Sequence, residues 1–384
     1  MPTRKLYYEN AHESTFSATV LTCEVAKTGY AVTLDATCFY PEGGGQAGDT
    51  GVLGTARVLD TQEQGDQVVH LCDSPLEVGT TVTGTIDYAP RFARMQQHSG
   101  EHIVSGIICR RYGWHNVGFH MASACMTIDF DGVVPQEDLA DIEREANEAI
   151  WQNLEVKCWV PDPEILKTIP YRTKKQLSWP VRIVEIPGYD LCACCGTHVS
   201  RTGEIGLIKI LSVCGLRGGT RMELACGKQA LEVLTTAYDQ NRQVGAAFSA
   251  QYFETGEAAR RMNDQVEALK FRAGQLEKRI FSFLAENYGN CVTPIHFEEN
   301  LEAGAVRELC DAISRRCTGT AAVFSGTDET GYAYCLINPQ ADLRPLNKAM
   351  TTALQGRGGG KPNFQQGRVQ AAKGEILAFW RENS

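Results

Sequence analysis

Two short motifs carry histidine and cysteine side chains at a spacing that suits a metal ion. His98 and His102 are four residues apart, so on a helix both imidazoles would lie on one face, one turn apart. About ninety residues later, Cys194 and His198 repeat the same spacing. Three imidazoles and one thiolate make a donor set that zinc accepts in tetrahedral geometry. The sequence therefore predicts a zinc site built from both motifs.

The cysteine-rich segment leaves the sulfur ligand open. Cys192 and Cys195 flank Cys194 closely enough to be alternative ligands. In the first motif, Ser99 follows the first histidine, whereas a zinc protease of the zincin type has glutamate there. Glu101 stands beside the second histidine instead. The pattern thus favours a metal site without favouring a metalloprotease.

Composition bounds the class of protein that must position these residues. The chain has 384 residues, 43% of them hydrophobic and 22% charged, as in globular proteins. No apolar run is long enough to span a bilayer, and the first residues lack the apolar core of a signal peptide. The 15 cysteines then indicate reduced thiols in the cytoplasm rather than a disulfide scaffold. The net charge of −9 argues against coating nucleic acid by bulk charge.

The alternation of apolar and polar residues divides the first half of the chain. Residues 1–90 contain short β-branched runs separated by Gly and Asp, which predicts a small β-barrel. Residues 91–228 mix helical and strand-like periods without a βαβ rhythm, which predicts an α+β domain around the metal motifs. The fold class is therefore α+β, with several domains.

A long helical segment is predicted from residue 229 to 287. Within it, apolar residues step alternately by four and three along a seam from residue 248 to 283, which is typical of a coiled coil. The partner helix could belong to this chain or to a second copy, and the latter would make a homodimer. The seam residues are Phe248, Tyr252, Thr255, Ala259, Met262, Val266, Leu269, Ala273, Leu276, Ile280 and Phe283.

Residues 288–384 read as a small α/β domain that ends in a glycine-rich stretch and a closing helix. Between residues 340 and 381 there are seven basic and two acidic residues, which gives a local charge of +5. Such an excess is a plausible phosphate footprint, although a solvated basic face would look the same. The candidate residues for binding nucleic-acid phosphates are Arg357, Gly358, Gly359, Gly360, Lys361 and Arg368.

Four motifs, in order along the chain, resemble those of alanyl-tRNA synthetase. The histidine pair and the segment from Cys194 to Gly206 look like its editing domain, and residues 220–227 resemble the strand that follows. Residues 39–46, Phe-Tyr-Pro-Glu-Gly-Gly-Gly-Gln, resemble the glycine-rich motif of its front barrel, and the tail from Gly356 resembles its DHHA1 domain. An aminoacylation domain has no room before the barrel. The chain is therefore similar to the free-standing alanyl-tRNA editing proteins, the AlaX group, in their long form.

This resemblance implies an activity and a set of residues. It implies hydrolysis of tRNA-Ala wrongly charged with serine or glycine, and zinc ligands at His98, His102, Cys194 and His198. The glycine run is expected near the editing pocket, although glycines alone also suit a tight turn. The candidate substrate-binding residues are Gly43, Gly44, Gly45, Gln46, Thr33, His120 and Thr197.

Two other functions remain open at this stage. Four protein ligands would complete a structural zinc site, so the chain could bind tRNA without catalysing a reaction. DHHA1-type tails also follow DHH phosphoesterase domains, but the sequence contains no Asp-His-His. Zinc in an active enzyme would either activate water or position the substrate, and the sequence does not choose between them.

Overall fold

The protein is described by a computed structural model covering residues 2–121, 125–173 and 180–383. It forms two compact units, Met1–Asn241 and Arg242–Ser384, and each is treated by itself below. No helix in the described part of the chain is long and apolar enough to cross a membrane.

The first unit begins with a closed six-stranded barrel, which confirms the predicted β-barrel. Its strands follow the order β2-β3-β7-β6-β5-β8, with antiparallel neighbours. Alternation explains the wall, since Val68, His70 and Cys72 of one strand point inward and are fully buried. The elements are β1 (Arg4–Lys5), α1 (Leu6–Glu9), β2 (Thr15–Val25), β3 (Tyr30–Leu34), β4 (Ala36–Thr37), β5 (Gly51–Leu53), β6 (Ala56–Gln64), β7 (Gln67–Cys72) and β8 (Thr81–Ile86).

An α+β layer follows the barrel and confirms the predicted class. A long helix, α2, packs against a four-stranded antiparallel sheet of order β14-β15-β10-β9 and against a three-stranded sheet of order β11-β12-β13. The elements are α2 (Tyr88–Tyr112), β9 (Asn116–Met121), β10 (Met126–Phe130), α3 (Leu139–Trp151), β11 (Lys157–Trp159), α4 (Pro163–Leu166), β12 (Ile183–Ile186), β13 (Asp190–Ala193), β14 (Ile208–Leu216) and β15 (Gly219–Cys226).

A buried ion pair fastens α2 to the barrel. The Arg91 guanidinium, fully buried, donates two hydrogen bonds to Asp49, and further ones to the carbonyl oxygens of Cys38 and Ala11. Asp49 also accepts from the backbone N–H of Tyr40. The segment 40–49, which contains the glycine run, is therefore held against the helix that carries both histidines.

The helical segment predicted from residue 229 to 287 is interrupted. Helix α5 (Lys228–Ala247) ends before Ser249, whose φ of +52° lies in the left-handed region, and α6 (Thr255–Glu286) begins a short turn later. The first two seam residues, Phe248 and Tyr252, fall in this break. On α6 the seam side chains are exposed within the chain; Leu269, for example, is 63% exposed. The coiled coil thus stays a prediction.

The second unit contains a five-stranded sheet of order β16-β17-β18-β20-β19, in which only β16 and β17 are parallel. Both faces of the sheet are covered, since Val323 and Phe324 point into different apolar clusters. The elements are β16 (Ile295–Glu298), α7 (Ala303–Ser314), β17 (Ala321–Thr327), β18 (Gly331–Ile337), α8 (Arg344–Ala353), β19 (Arg357–Lys361), β20 (Phe364–Val369) and α9 (Lys373–Asn383).

The first strand of this unit begins at Ile295, because Pro294 precedes it and lacks the N–H that a sheet ladder needs. The glycine-rich stretch forms the exposed edge strand β19 of a hairpin with β20.

Candidate metal centre

Helix α2 places the first two candidate ligands. His98 and His102 lie in its buried middle, at 3% and 2% exposure, with ring centroids 5.3 Å apart. This confirms that the four-residue spacing puts both rings on one face of a helix. The face is buried because α2 packs on β13, β15 and the turn at Thr202–Ile205.

The loop after β13 supplies the other two. Cys194 and His198 bring Sγ and a ring nitrogen to the histidine pair, so that one ligand atom from each of the four residues lies within 4.8 Å of the others. Gly196 permits this approach: a Cβ atom there would lie 2.1 Å from Cε1 of His98. The structure thus brings together the four residues that the two motifs predict.

The hydrogen bonds of the imidazoles leave the same nitrogen available on each ring. Nδ1 of His102 donates to Asp190 Oδ2 at 2.7 Å, Nδ1 of His198 to the Gly196 carbonyl oxygen at 3.1 Å, and Nδ1 of His98 to Gln46 Oε1 at 3.3 Å. These acceptors fix the proton on Nδ1 and leave Nε2 with a lone pair.

The Nε2 atoms converge on the sulfur. Nε2 of His98 lies 3.4 Å from Cys194 Sγ, and Nε2 of His198 is buried with no hydrogen-bond partner among the described residues. An orphaned buried nitrogen is costly unless something else binds it. The donor set therefore fits a tetrahedral metal such as zinc, held by three Nε2 atoms and one thiolate.

Charge at the centre matches this role. Burial alone would raise the pKa of the Cys194 thiol, but the adjacent His98 imidazole holds it well below its usual range. Burial lowers the pKa of His198 to about 3, so that ring is neutral. A thiolate and a neutral imidazole are the forms that bind metal.

Asp190 and Arg172 form a support behind His102 that the sequence pattern does not reveal. Asp190 is buried and accepts from Arg172 at 2.6 and 2.8 Å as well as from His102. Burial by itself would raise the pKa of the Asp190 carboxyl, but the hydrogen bonds from His102 and Arg172 hold it below its usual range. Carboxylates of this kind orient a metal-binding imidazole and increase its basicity.

The two alternative cysteines differ from Cys194. Burial raises the pKa of the Cys192 thiol to about 11, although Cys192 also lies near His102 and Asp190 in a second, smaller group of metal-capable side chains. Burial likewise raises the pKa of Cys195, which is more exposed than its neighbours. Geometry and charge therefore favour Cys194 as the sulfur ligand.

A cavity of about 330 Å³ opens over the centre. Phe119 stacks on His98 at 5.3 Å between ring centroids, and Glu101 lies in the wall, with Oε1 accepting from Ser105 and Asn116 at 2.5 Å. The wall is formed by Gly44, His98, Glu101, His102, Phe119, Arg172, Thr173, Pro180, Val181, Arg182, Cys192, Ala193, Cys194 and Cys195. Such a volume admits a small polar molecule beside the metal position.

Comparison with known proteins agrees with this architecture. Residues 181–222 match the family model described as the threonyl and alanyl tRNA synthetase second additional domain, and residues 4–90 match that of class II (A) tRNA synthetases. The alanyl-tRNA editing protein Aarsd1-B of Xenopus laevis is 29% identical over 91% of this chain and 88% of its own. The chain is thus similar to alanyl-tRNA editing proteins and to alanine–tRNA ligases.

These relatives differ greatly in length. The alanine–tRNA ligase of Thermofilum pendens is 33% identical over 97% of this chain, which spans 43% of that ligase. The editing protein Aarsd1 of Danio rerio is 26% identical over 93% of this chain and 89% of its own. The similarity therefore covers both units of the chain in both kinds of relative.

The structure separates the candidate substrate-binding residues into two groups. Gly44 lines the cavity, and Gly43 closes a tight turn with Gln46. Gly45 has a φ of +86°, and a Cβ there would lie 2.9 Å from Phe119. Gln46 and Thr197 are buried behind His98, where the Gln46 amide donates to Thr197 Oγ1 at 2.8 Å.

The other two candidates lie elsewhere. Thr33 is in the barrel wall, where its hydroxyl shares a hydrogen bond of 2.7 Å with Thr22. His120 is exposed on β9, because neighbouring residues of a strand face opposite ways and Phe119 takes the inward position. Strand alternation around residue 119 was the signal that could have identified Phe119.

The candidate tRNA-binding residues lie in the second unit. Arg357, the three glycines and Lys361 form the edge strand β19, and all five are exposed. Arg368 stands opposite Arg357 on β20 and donates to the Thr330 carbonyl oxygen. The structure thus brings the basic residues of the tail together on one hairpin.

Proposed function

We propose that the chain is a zinc-dependent deacylase that acts in the cytoplasm on tRNA-Ala wrongly charged with serine or glycine. The observation that carries this proposal is the convergence of three Nε2 atoms and a thiolate beneath a cavity. The names of the relatives support it, since those of similar length are alanyl-tRNA editing proteins.

The reaction would be attack of water on the ester carbonyl that joins the amino acid to the terminal ribose. It releases the free amino acid and the tRNA 3′ hydroxyl. Zinc bound by His98, His102, Cys194 and His198 would supply a Lewis acid at this carbonyl or lower the pKa of a bound water toward about 7.

The chain's own residues would hold and select the substrate. Gln46 and Asp190 fix the orientation of two ligand imidazoles, and Phe119 covers the His98 ring. Glu101 and Thr173 give the wall polar groups that a serine hydroxyl can meet. A hydrogen bond to this hydroxyl would favour serine over alanine, which has none.

Deacylation of serine-charged tRNA-Ala tests the proposal directly. We expect the zinc-loaded protein to shorten the ester half-life, a chelator to abolish the effect, and added zinc to restore it. Alanine-charged tRNA-Ala is the matched control and should be spared. An unchanged half-life of the serine ester with the zinc-loaded protein would contradict the proposal.

A second function is kept because the donor set has four protein ligands. Structural zinc sites are closed in this way, whereas catalytic sites usually keep one position open. The chain would then bind tRNA-Ala with zinc present but release no amino acid. The same assay, combined with a tRNA-binding measurement, separates the two functions.

The second unit is proposed to act as a DHHA1-like tRNA-binding domain. The support is the run Gly358-Gly359-Gly360 on an exposed edge strand between the basic residues Arg357 and Lys361. We also propose that the exposed apolar seam of α6 pairs with a second copy as a coiled coil.

A further inference from the structure

Arg182 stands at the mouth of the cavity next to the metal centre. It directly precedes β12, is half-buried, and lines the cavity together with Cys194 and Cys195. Its Nη1 donates to the carbonyl oxygens of Cys194 at 2.9 Å and Gly196 at 3.0 Å. These bonds fix the guanidinium to the backbone of the loop that carries the sulfur ligand.

The charge of Arg182 has no described carboxylate partner, in contrast to that of Arg172 in the same cavity wall. Arg172 makes a two-point ion pair with Asp190. Among residues 2–121, 125–173 and 180–383, no carboxylate lies within ion-pair distance of Arg182, and its Nε and Nη2 make no described hydrogen bond. An arginine held in a cavity wall without a counter-ion leaves part of its donor fork available to an anion.

An aromatic ring keeps the guanidinium in place. Tyr8 lies under it, with 4.8 Å between the guanidinium carbon and the ring centroid, and the Tyr8 hydroxyl donates to the Cys195 carbonyl oxygen at 3.0 Å. Stacking of this kind limits the rotamers of the arginine. The free donors of Arg182 are thus pre-organised rather than mobile.

The anion that fits is a phosphodiester. An ester bound at the metal position carries the terminal ribose of a nucleic acid toward the cavity mouth, and the nearest negative charge of that ligand is the phosphate 5′ of the terminal nucleoside. Arginine binds phosphate through two parallel charge-assisted hydrogen bonds. We infer that Arg182, stacked on Tyr8, binds the phosphodiester that precedes the terminal adenosine of the acceptor strand. This inference rests on the proposed function.

Binding of trinucleotides that carry no amino acid tests the inference without requiring hydrolysis. The probes are CCA with a normal final linkage and CCA whose final linkage is a neutral methylphosphonate. We expect the zinc-loaded protein to bind the probe with the normal, negatively charged linkage about tenfold more tightly. The neutral linkage loses a charge-assisted hydrogen bond. Arg182→Gln should bind both probes alike. Equal affinity of the wild-type protein for both would overturn the inference.

Two further variants guard against indirect effects. Arg182→Lys retains the charge and should retain most of the preference. It thereby separates loss of the phosphate contact from any loss of zinc that follows when Arg182→Gln breaks the bonds to Cys194 and Gly196. The matched control is Arg144→Gln, an exposed arginine on α3 paired with Asp141, which should behave like wild type. Loss of the preference in Arg144→Gln would contradict the assignment. Retention of the preference in both Arg182 variants would contradict it as well.

The outcomes also separate this inference from the proposed function. Hydrolysis of serine-charged tRNA-Ala with no preference between the probes would refute the role of Arg182 alone. A preference between the probes without hydrolysis would refute the deacylase and leave the phosphate subsite standing.

Discussion

The three cysteines at residues 192–195 differ in burial and charge although they share one strand end. Only the sulfur of Cys194 lies with the three Nε2 atoms, and its pKa is lowered while those of Cys192 and Cys195 are raised. We expect Cys194→Ala to lose bound zinc and deacylase activity together. Cys192→Ala and Cys195→Ala serve as matched controls and should keep both. Zinc stoichiometry after dialysis is the measurement, and full retention by Cys194→Ala would refute the assignment.

Asp190 would act on a bound metal through His102. In Asp190→Asn the imidazole would lose its charged acceptor, and Arg172 would lose its ion-pair partner. Removal of such a support costs about 10- to 100-fold in metal affinity. Competition with a zinc chelator measures this change. Asp129→Asn on β10 removes a similar two-point pair with Arg221 and should leave zinc affinity unchanged. Equal affinities in both variants would count against the role of Asp190.

Because His70 is buried in the barrel, we expect the free energy of unfolding to depend on pH. Nδ1 of His70 donates to the Val32 carbonyl oxygen and Nε2 accepts from Thr37, and burial lowers its pKa to about 4. The unfolded chain takes up the proton near pH 6.5, so stability is full above that value and falls as the pH drops toward 4. The loss is on the order of 3 kcal/mol.

Unfolding in urea at several pH values measures this effect on the barrel. His70→Gln lacks the titrating group and should lose its part of the slope between pH 6.5 and 4, whatever its stability at pH 7. The same slope in both proteins would contradict the assignment.

At the scale of elements, helix α6 presents an apolar seam that its own unit leaves exposed. Met262, Leu269 and Leu276 are 43%, 63% and 48% exposed. We expect the protein to sediment as a dimer and Leu269→Asp to dissociate it, because a buried charge is costly in a helical seam. Phe271 lies off the seam and is equally apolar, so Phe271→Asp should remain dimeric. A wild-type monomer at micromolar concentration would refute the dimer.

Elements with a regular period could be predicted, whereas breaks and lone partners could not. The barrel, α2 and α3 follow from alternation or helical spacing, and the two His/Cys motifs follow from their spacing of four. The break at Ser249 escaped prediction because Phe248 and Tyr252 continue the heptad pattern through it. Asp190 and Arg172 escaped because single residues without a pattern acquire a role only when the fold brings them to His102.

For the whole molecule, the net charge of −9 hides a basic tail. Arg357 and Lys361 have no described carboxylate partner, and each phosphate contact adds about 0.7–0.9 to the slope of log K against log salt. We expect R357Q/K361Q to weaken tRNA binding and to reduce this slope by about 1.5. The matched control is R315Q/R344Q, since Arg315 and Arg344 are already paired with Asp311 and Asp342. An equal effect in both would show bulk charge rather than a tRNA contact.

The distance along the chain between the two halves of the metal centre has a consequence during synthesis. The histidines of α2 leave the ribosome 92 residues before Cys194 and 96 before His198. At about 5–20 residues per second, this leaves an incomplete two-imidazole site for roughly 5 to 20 seconds. Two imidazoles alone follow the Irving–Williams order and prefer copper, whereas the thiolate completes a tetrahedral set suited to zinc. The zinc-selective donor set is thus complete only after the loop that follows β13 has been synthesised. Until then, the concentrations of free metal ions in the cell determine which ion binds the two imidazoles of the nascent helix.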